Sequence, residues 1–147
     1  MNYKQVDIYV DKNRNLIVVA NGLIDKWGGI IAGIDVVEKL DVPYTEDMLK
    51  NLLISMMDKW CSRVPVEGDP SPLEKFLGVK GYSKAVKGRK LICFSWNNEE
   101  GYIIRPSIRE KKGFSLQDDQ KITLGKDIQG NVLADAITQA IEASTAI

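Results

Sequence analysis

Residues Lys90–Arg105 commit this chain to antiparallel sheet. Lys90–Trp96 is an apolar and aromatic run, Asn97–Gly101 is dense in turn formers, and Tyr102–Arg105 is a second strand-like run that Pro106 stops. A strand pair of this kind is marginal alone and must bury one face against something else. The rest of the chain supplies the cover.

A second hairpin is expected near the N-terminus. Val6–Val10 reads as a strand, Asp11–Asn15 as a turn, and Leu16–Ala20 as a continuous apolar run that suits a well-covered strand. Asn21–Gly33 is glycine-rich, with Gly28 and Gly29 read as loop, and Ile34–Leu40 reads as a third strand in preference to a helical piece. Thr45 is placed to cap a helix whose first turn carries Glu46 and Asp47. Met48, Leu49, Leu52, Leu53, Met56, Met57 and Trp60 follow at helical spacing, a stripe read as core in preference to an adaptable groove. Ser71, Pro72 and Glu74 form a capping-box signature for a short helix ended by Gly78. Ile108–Gly113 reads as a charged loop, and Lys121–Leu124 as a strand. A last helix starting near Gly130 and Asn131 is expected to bury Val132, Leu133, Ala136, Ile137, Ala140 and Ile141.

These elements predict an α+β fold: an antiparallel sheet with helices packed on one face, in one domain spanning residues 1–147. The two halves share an order of hairpin, glycine-bearing loop, strand and helix. One constant offset aligns Gly29 with Gly113, Leu40 with Leu124, Leu49 with Leu133, Leu53 with Ile137 and Met57 with Ile141. The pattern suggests two related ββ-β-α halves, although ordinary packing needs produce similar units.

The chain has no histidine, which excludes Ser-His-Asp and Cys-His triads and histidine-based metal sites. The carboxylate pairs Glu46–Asp47, Glu99–Glu100 and Asp118–Asp119 are sequence neighbours. Neighbours on a strand point to opposite faces, and the first two pairs read as helix start and turn tip. The glycines form no phosphate-cradling pattern. Cys61 and Cys93 are far apart in sequence and read as reduced thiols of a cytoplasmic protein, and no secretory signal or membrane span is read. With 20 basic and 20 acidic residues the chain has no net charge to draw it to nucleic acid or an anionic membrane. Lys84–Lys90 is the most basic stretch and reads as a solvated loop. The residue types therefore point away from an enzyme, a metal or a cofactor and toward a protein partner.

Lys90–Trp96, Gly101–Pro106, Lys112–Phe114, Ile122–Leu124, Leu133, Ala136, Ile137, Ala140 and Ile141 form a series of landmarks. With the short helix around Phe76 and Leu77 and Tyr82–Lys84 after it, this series resembles immunity proteins of bacterial contact-dependent growth inhibition systems. The resemblance covers residues 70–143 and describes a scaffold, the first third matching poorly. It implies a cytoplasmic, cofactor-free inhibitor that binds a cognate toxin, the C-terminal domain of a large cell-surface exoprotein and often a nuclease.

Candidate partner-binding residues are the acids Glu67, Asp69, Glu99, Glu100, Asp118 and Asp119, which suit a basic partner, and the aromatic anchors Trp27 and Tyr82. Trp60 and Trp96 read as core. The alternatives are a small nucleic-acid-binding module using Lys84–Lys90 with Tyr82, Trp96 and Tyr102, an enzyme built on a buried carboxylate pair, and a structural subunit.

Overall fold

A computed structural model describes residues 3–24, 30–65 and 70–146. Its elements in chain order are β1 (Tyr3–Val10), β2 (Leu16–Ile24), β3 (Ile30–Leu40), α1 (Glu46–Met57), α2 (Pro72–Leu77), α3 (Tyr82–Ala85), β4 (Lys90–Asn97), β5 (Gly101–Arg105), β6 (Ser107–Glu110), β7 (Gly113–Leu116), β8 (Ile122–Gly125) and α4 (Val132–Ala143). The fold class is the α+β antiparallel arrangement expected from the sequence.

The six-stranded sheet runs β3-β2-β1-β4-β5-β8, and every neighbouring pair is antiparallel. Outward from its centre this order runs β1, β2 and β3 in one half and β4, β5 and β8 in the other, with the β6–β7 pair set apart from the sheet. β1 and β4 pair at the middle over Tyr3–Val10 and Lys90–Asn97, and each half then adds a hairpin partner, an outer strand and a long helix. The aligned residues Leu49 and Leu133, Leu53 and Ile137, and Met57 and Ile141 all enter one core. The halves differ where the first keeps two long strands. There β2 and β3 stay paired through a bulge between Val19 and Asn21, whereas the second half breaks at Pro106 into the β5–β8 pair and the separate β6–β7 hairpin.

The apolar run Leu16–Ala20 is explained by cover on both faces. Leu16, Val18 and Ala20 join Val6, Ile8, Ile92 and Phe94 beneath α1 and α4, while Ile17 and Val19 join Tyr9 on the opposite face. The two long helices share one face, as expected. The short α2 and α3 add to this by covering part of the other face through Leu73, Ala85 and Val86.

Three local expectations change. Residues 108–113, read as a charged loop, lie in the β6–β7 hairpin: Arg109 pairs with Phe114, and its guanidinium lies 5.3 Å from the Phe114 ring centre. A cation over an aromatic face makes a charged segment compatible with a strand. The chain end holds this hairpin, with Thr145 donating its N–H to Ser107 (3.0 Å) and accepting from Arg109 N–H (2.8 Å). Val132 is exposed at the first residue of α4, although Leu133, Ala136, Ile137, Ala140 and Ile141 are buried as expected. In the α1 stripe Leu49, Leu53, Met56 and Met57 are buried, Met48 is exposed, and the helix ends before Trp60, which packs edge-on against Tyr3.

Helix capping follows the sequence closely at α1 and α2. Thr45 Oγ1 accepts from Met48 N–H, and Ser71 and Glu74 form the reciprocal capping box, with Gly78 left-handed at the end. α4 lacks a side-chain cap of its own. Glu46 of α1 supplies one, accepting from Ala134 N–H at 2.8 Å. Replacing Glu46→Ala orphans that donor and loosens the α1–α4 junction, so urea unfolding should show a loss of about 1–2 kcal/mol. A change below roughly 0.3 kcal/mol would mean the cap contributes nothing.

Candidate functional site

The odd-numbered residues of β1 form a polar line on the face away from α1 and α4. Tyr3 donates to Gln5 Oε1 (2.7 Å), and Gln5 Nε2 donates to Asp7 Oδ1 (3.1 Å). Two residues on, Tyr9 shares a 2.8 Å hydrogen bond with the Tyr82 hydroxyl of α3. Alternation along a strand places these side chains side by side, while Val6, Ile8 and Val10 go to the main core.

This line borders a recess of about 270 Å³ between the sheet and the start of α2. Asp7 and Asn21 line its polar wall, and Leu73, Pro72 and Val19 its apolar wall. A larger recess of about 440 Å³ adjoins it, sharing Gly33, Ser71, Pro72 and Tyr82 and extending past Asp35, Arg63 and Glu74. In that second recess the carboxylates are engaged. Asp35 meets Lys75 at 3.1 Å, while Glu74 accepts from Ser71 and Gly81, which holds it below its ordinary pKa.

Asp7 differs. Burial raises its pKa from 3.8 to about 6, against the opposing pull of the Gln5 and Asn21 amides that face it. No described cation pairs with it, and among the described residues no Lys or Arg lines its recess. Asn21 is 1% exposed; its amide lies near enough to Asp7 to favour the carboxylate, yet neither its nitrogen nor its oxygen makes a hydrogen bond of normal length and angle. Burial also raises the pKa values of Tyr9, Tyr82 and Cys93, whose position in β4 is directly opposite Asp7. The neighbours of Asp7 therefore stay protonated at neutral pH. Among the described residues the arrangement is an acceptor-rich pocket with one carboxylate and otherwise uncharged walls.

The sequence-derived candidates divide between two places. Tyr82 lies on the recess. Glu99 and Glu100 are exposed at the β4–β5 turn, their N–H groups held by Asn97 Oδ1, and Glu100 lies 3.3 Å from Lys121. Asp118 and Asp119 are exposed in a 3-10 turn before β8, where Asp118 accepts from Arg105 Nε at 2.7 Å. Two of these four acids are thus neutralised by neighbours. Trp27, Glu67 and Asp69 lie outside the described residues, as do Gly28 and Gly29.

The stacking platform of the nucleic-acid alternative does not assemble. Trp96 and Tyr102 pack with the main core, with Tyr102 stacked on Phe94 at 5.5 Å, while Tyr82 packs on the opposite face. Within Lys84–Lys90, Arg89 donates to Ala85 O and Lys90 to Ile141 O. Tyr82–Ala85 is a helix, so the basic stretch is a loop only in its later part. For the carboxylate-pair alternative, Asp7 is the one carboxylate among the described residues that line the smaller recess.

Asp7, Gln5 and Asn21 were not among the sequence candidates. Their signal was polar residues alternating with Val6 and Ile8, and an asparagine directly after the run Leu16–Ala20. Among the described residues no helix is long and apolar enough to cross a membrane, and no three His, Cys, Asp or Glu side chains group as metal ligands.

Neither the protein-family models nor the curated proteins give a match to this chain. Among solved structures, a Neisseria meningitidis protein described as of unknown function has a similar fold. The TM-score is 0.73 at 14% identity, with 97% of this chain and 96% of that one covered. Likeness at this identity concerns the fold alone.

Proposed function

We propose that this chain is a cytoplasmic immunity protein that binds and neutralises a cognate toxin domain, a nuclease delivered by contact-dependent growth inhibition. The observation that supports a protein-binding role most strongly is the concave surface beside β3. This outermost strand runs for 11 residues, and next to it lie the two recesses and the exposed apolar side chains Ile31, Val64 and Phe76. A long sheet edge beside apolar anchors and polar recesses is a surface that a folded partner can grip. The landmarks shared with the immunity proteins direct the reading to a toxin. The exposed acids Glu99 and Asp119 serve as steering charges for a basic partner.

The test is co-expression with the C-terminal domain of a large cell-surface exoprotein encoded next to this chain, read by co-purification and growth rescue. The expected result is a stable complex that restores growth, weakened roughly tenfold or more by Phe76→Ala. Glu99→Ala with Asp119→Ala should slow association at low salt and leave dissociation unchanged. A toxin that still kills and fails to associate overturns the proposal.

A further inference from the structure

We propose that the smaller recess binds a guanidinium-headed alkyl cation, received between the Asp7 carboxylate and the Asn21 amide with its chain along Leu73 and Pro72. Two independent observations meet there. Asn21 is more than nine-tenths buried and lines the same cavity as Asp7; its amide faces the Asp7 carboxylate without a hydrogen bond of normal geometry, and its carbonyl oxygen has no hydrogen-bond partner. A buried amide left unpaired costs about 1–3 kcal/mol, so a ligand that engages it has a reason to bind.

The lining selects the sign of the ligand. Asp7 offers an oxygen that Gln5 does not occupy, Asn21 offers a carbonyl, and the Tyr9–Tyr82 hydroxyl pair offers further acceptor capacity. Among the described residues no cation lines the recess to receive an anion. A divalent metal ion would call for more charged oxygen ligands than one described carboxylate among neutral amides and hydroxyls supplies. A guanidinium has a planar fork of donors that suits a carboxylate beside an amide oxygen. The volume of about 270 Å³ suits a small ligand or a single side chain. The shared chemistry has two sources, a free alkylguanidine or an arginine side chain of a docked protein. The inference does not depend on the partner being a toxin.

The experiment is a ¹⁵N–¹H NMR titration of the intact chain at pH 7.5 with n-butylguanidinium, with N-acetyl-arginine methylamide and with neutral n-butylurea. Saturable shifts at Asn21, Asp7 and Tyr82 are expected for a cationic probe and not for the urea. Preference for butylguanidinium identifies a free ligand, and preference for the blocked arginine identifies a protein side chain. Asp7→Asn should weaken binding at least about tenfold. In the unaltered protein binding should also weaken between pH 7.5 and pH 5, because Asp7 takes up a proton there while Tyr9, Tyr82 and Cys93 stay protonated throughout. Absence of saturable shifts with both cations, equal binding of the urea, or binding indifferent to pH overturns the proposal. Each result is independent of whether a toxin complex forms.

Discussion

Gly101→Ala should cost about 3 kcal/mol or more and lower the melting temperature by roughly 10 °C. Gly101 has φ +79°, a conformation that L side chains rarely adopt. An added Cβ would also lie 2.2 Å from Gly125 O and 2.5 Å from Lys126 N, both backbone atoms. No rotamer change relieves that clash, so β8 must move off β5. β8 is a four-residue strand at the end of the sheet, and Ile122 and Leu124 pack on the core beneath α4. Moving it loosens this end of the core as well as the turn. Gly78→Ala is the control. Its φ is +68°, but an added Cβ meets nothing within 4 Å, so only the backbone term of about 1 kcal/mol remains. Thermal melts of the two variants compare the effects directly. Equal losses would show that the close approach of β5 and β8 is not what requires glycine at position 101.

The elements that were legible in the sequence are those in which local chemistry and tertiary packing agree. The Ser71–Glu74 capping box, the Thr45 cap and the Lys90–Arg105 hairpin each carry their own signal, and each forms where it was read. The shared order of the two halves was also readable, since it rests on apolar spacing and recurs in the palindromic strand order. What the sequence concealed was made of contacts that exist only once strands pair and the segment after α4 docks. The β6–β7 hairpin looks like a solvated loop until Phe114 is set beneath Arg109 and the chain end is tied to Ser107. The recess was hidden for the same reason. Asp7 and Asn21 sit in adjacent strands, and only the pairing of Asp7 with Val19 brings their polar side chains to one wall. In sequence each is a single polar residue beside an apolar run, a common feature of any strand with one wet face. The candidate acids were chosen as loop residues suited to a basic partner; Glu99, Glu100, Asp118 and Asp119 are exposed, but exposure carries no information on where a cavity forms.

Asp7→Asn should stabilise the protein by roughly 2–3 kcal/mol at pH 7.5 and remove a pH dependence of stability between about pH 4 and 6. In the folded protein Asp7 binds its proton more tightly than in the unfolded chain, with a pKa of about 6 against 3.8. As the pH rises through this interval the unfolded chain loses the proton first. Its contribution to stability is therefore fully present below pH 3.8, falls as the pH approaches 6, and is absent above it. Asparagine has the shape of the protonated acid, retains an oxygen for Gln5 Nε2, and carries no charge to desolvate. Urea unfolding of both proteins at pH 4.5 and 7.5 isolates the effect, because every other carboxylate is common to the two and cancels in the difference. The variant's advantage should be small at pH 4.5 and large at pH 7.5. An advantage that is the same at both pH values would show that Asp7 is ionised without penalty. A large advantage at pH 7.5 means that the native sequence carries a buried charge at a cost to its own stability. A cationic ligand in the recess would offset that cost, so stability and binding are coupled at one carboxylate: the residue that destabilises the empty protein is the one that would hold the guanidinium.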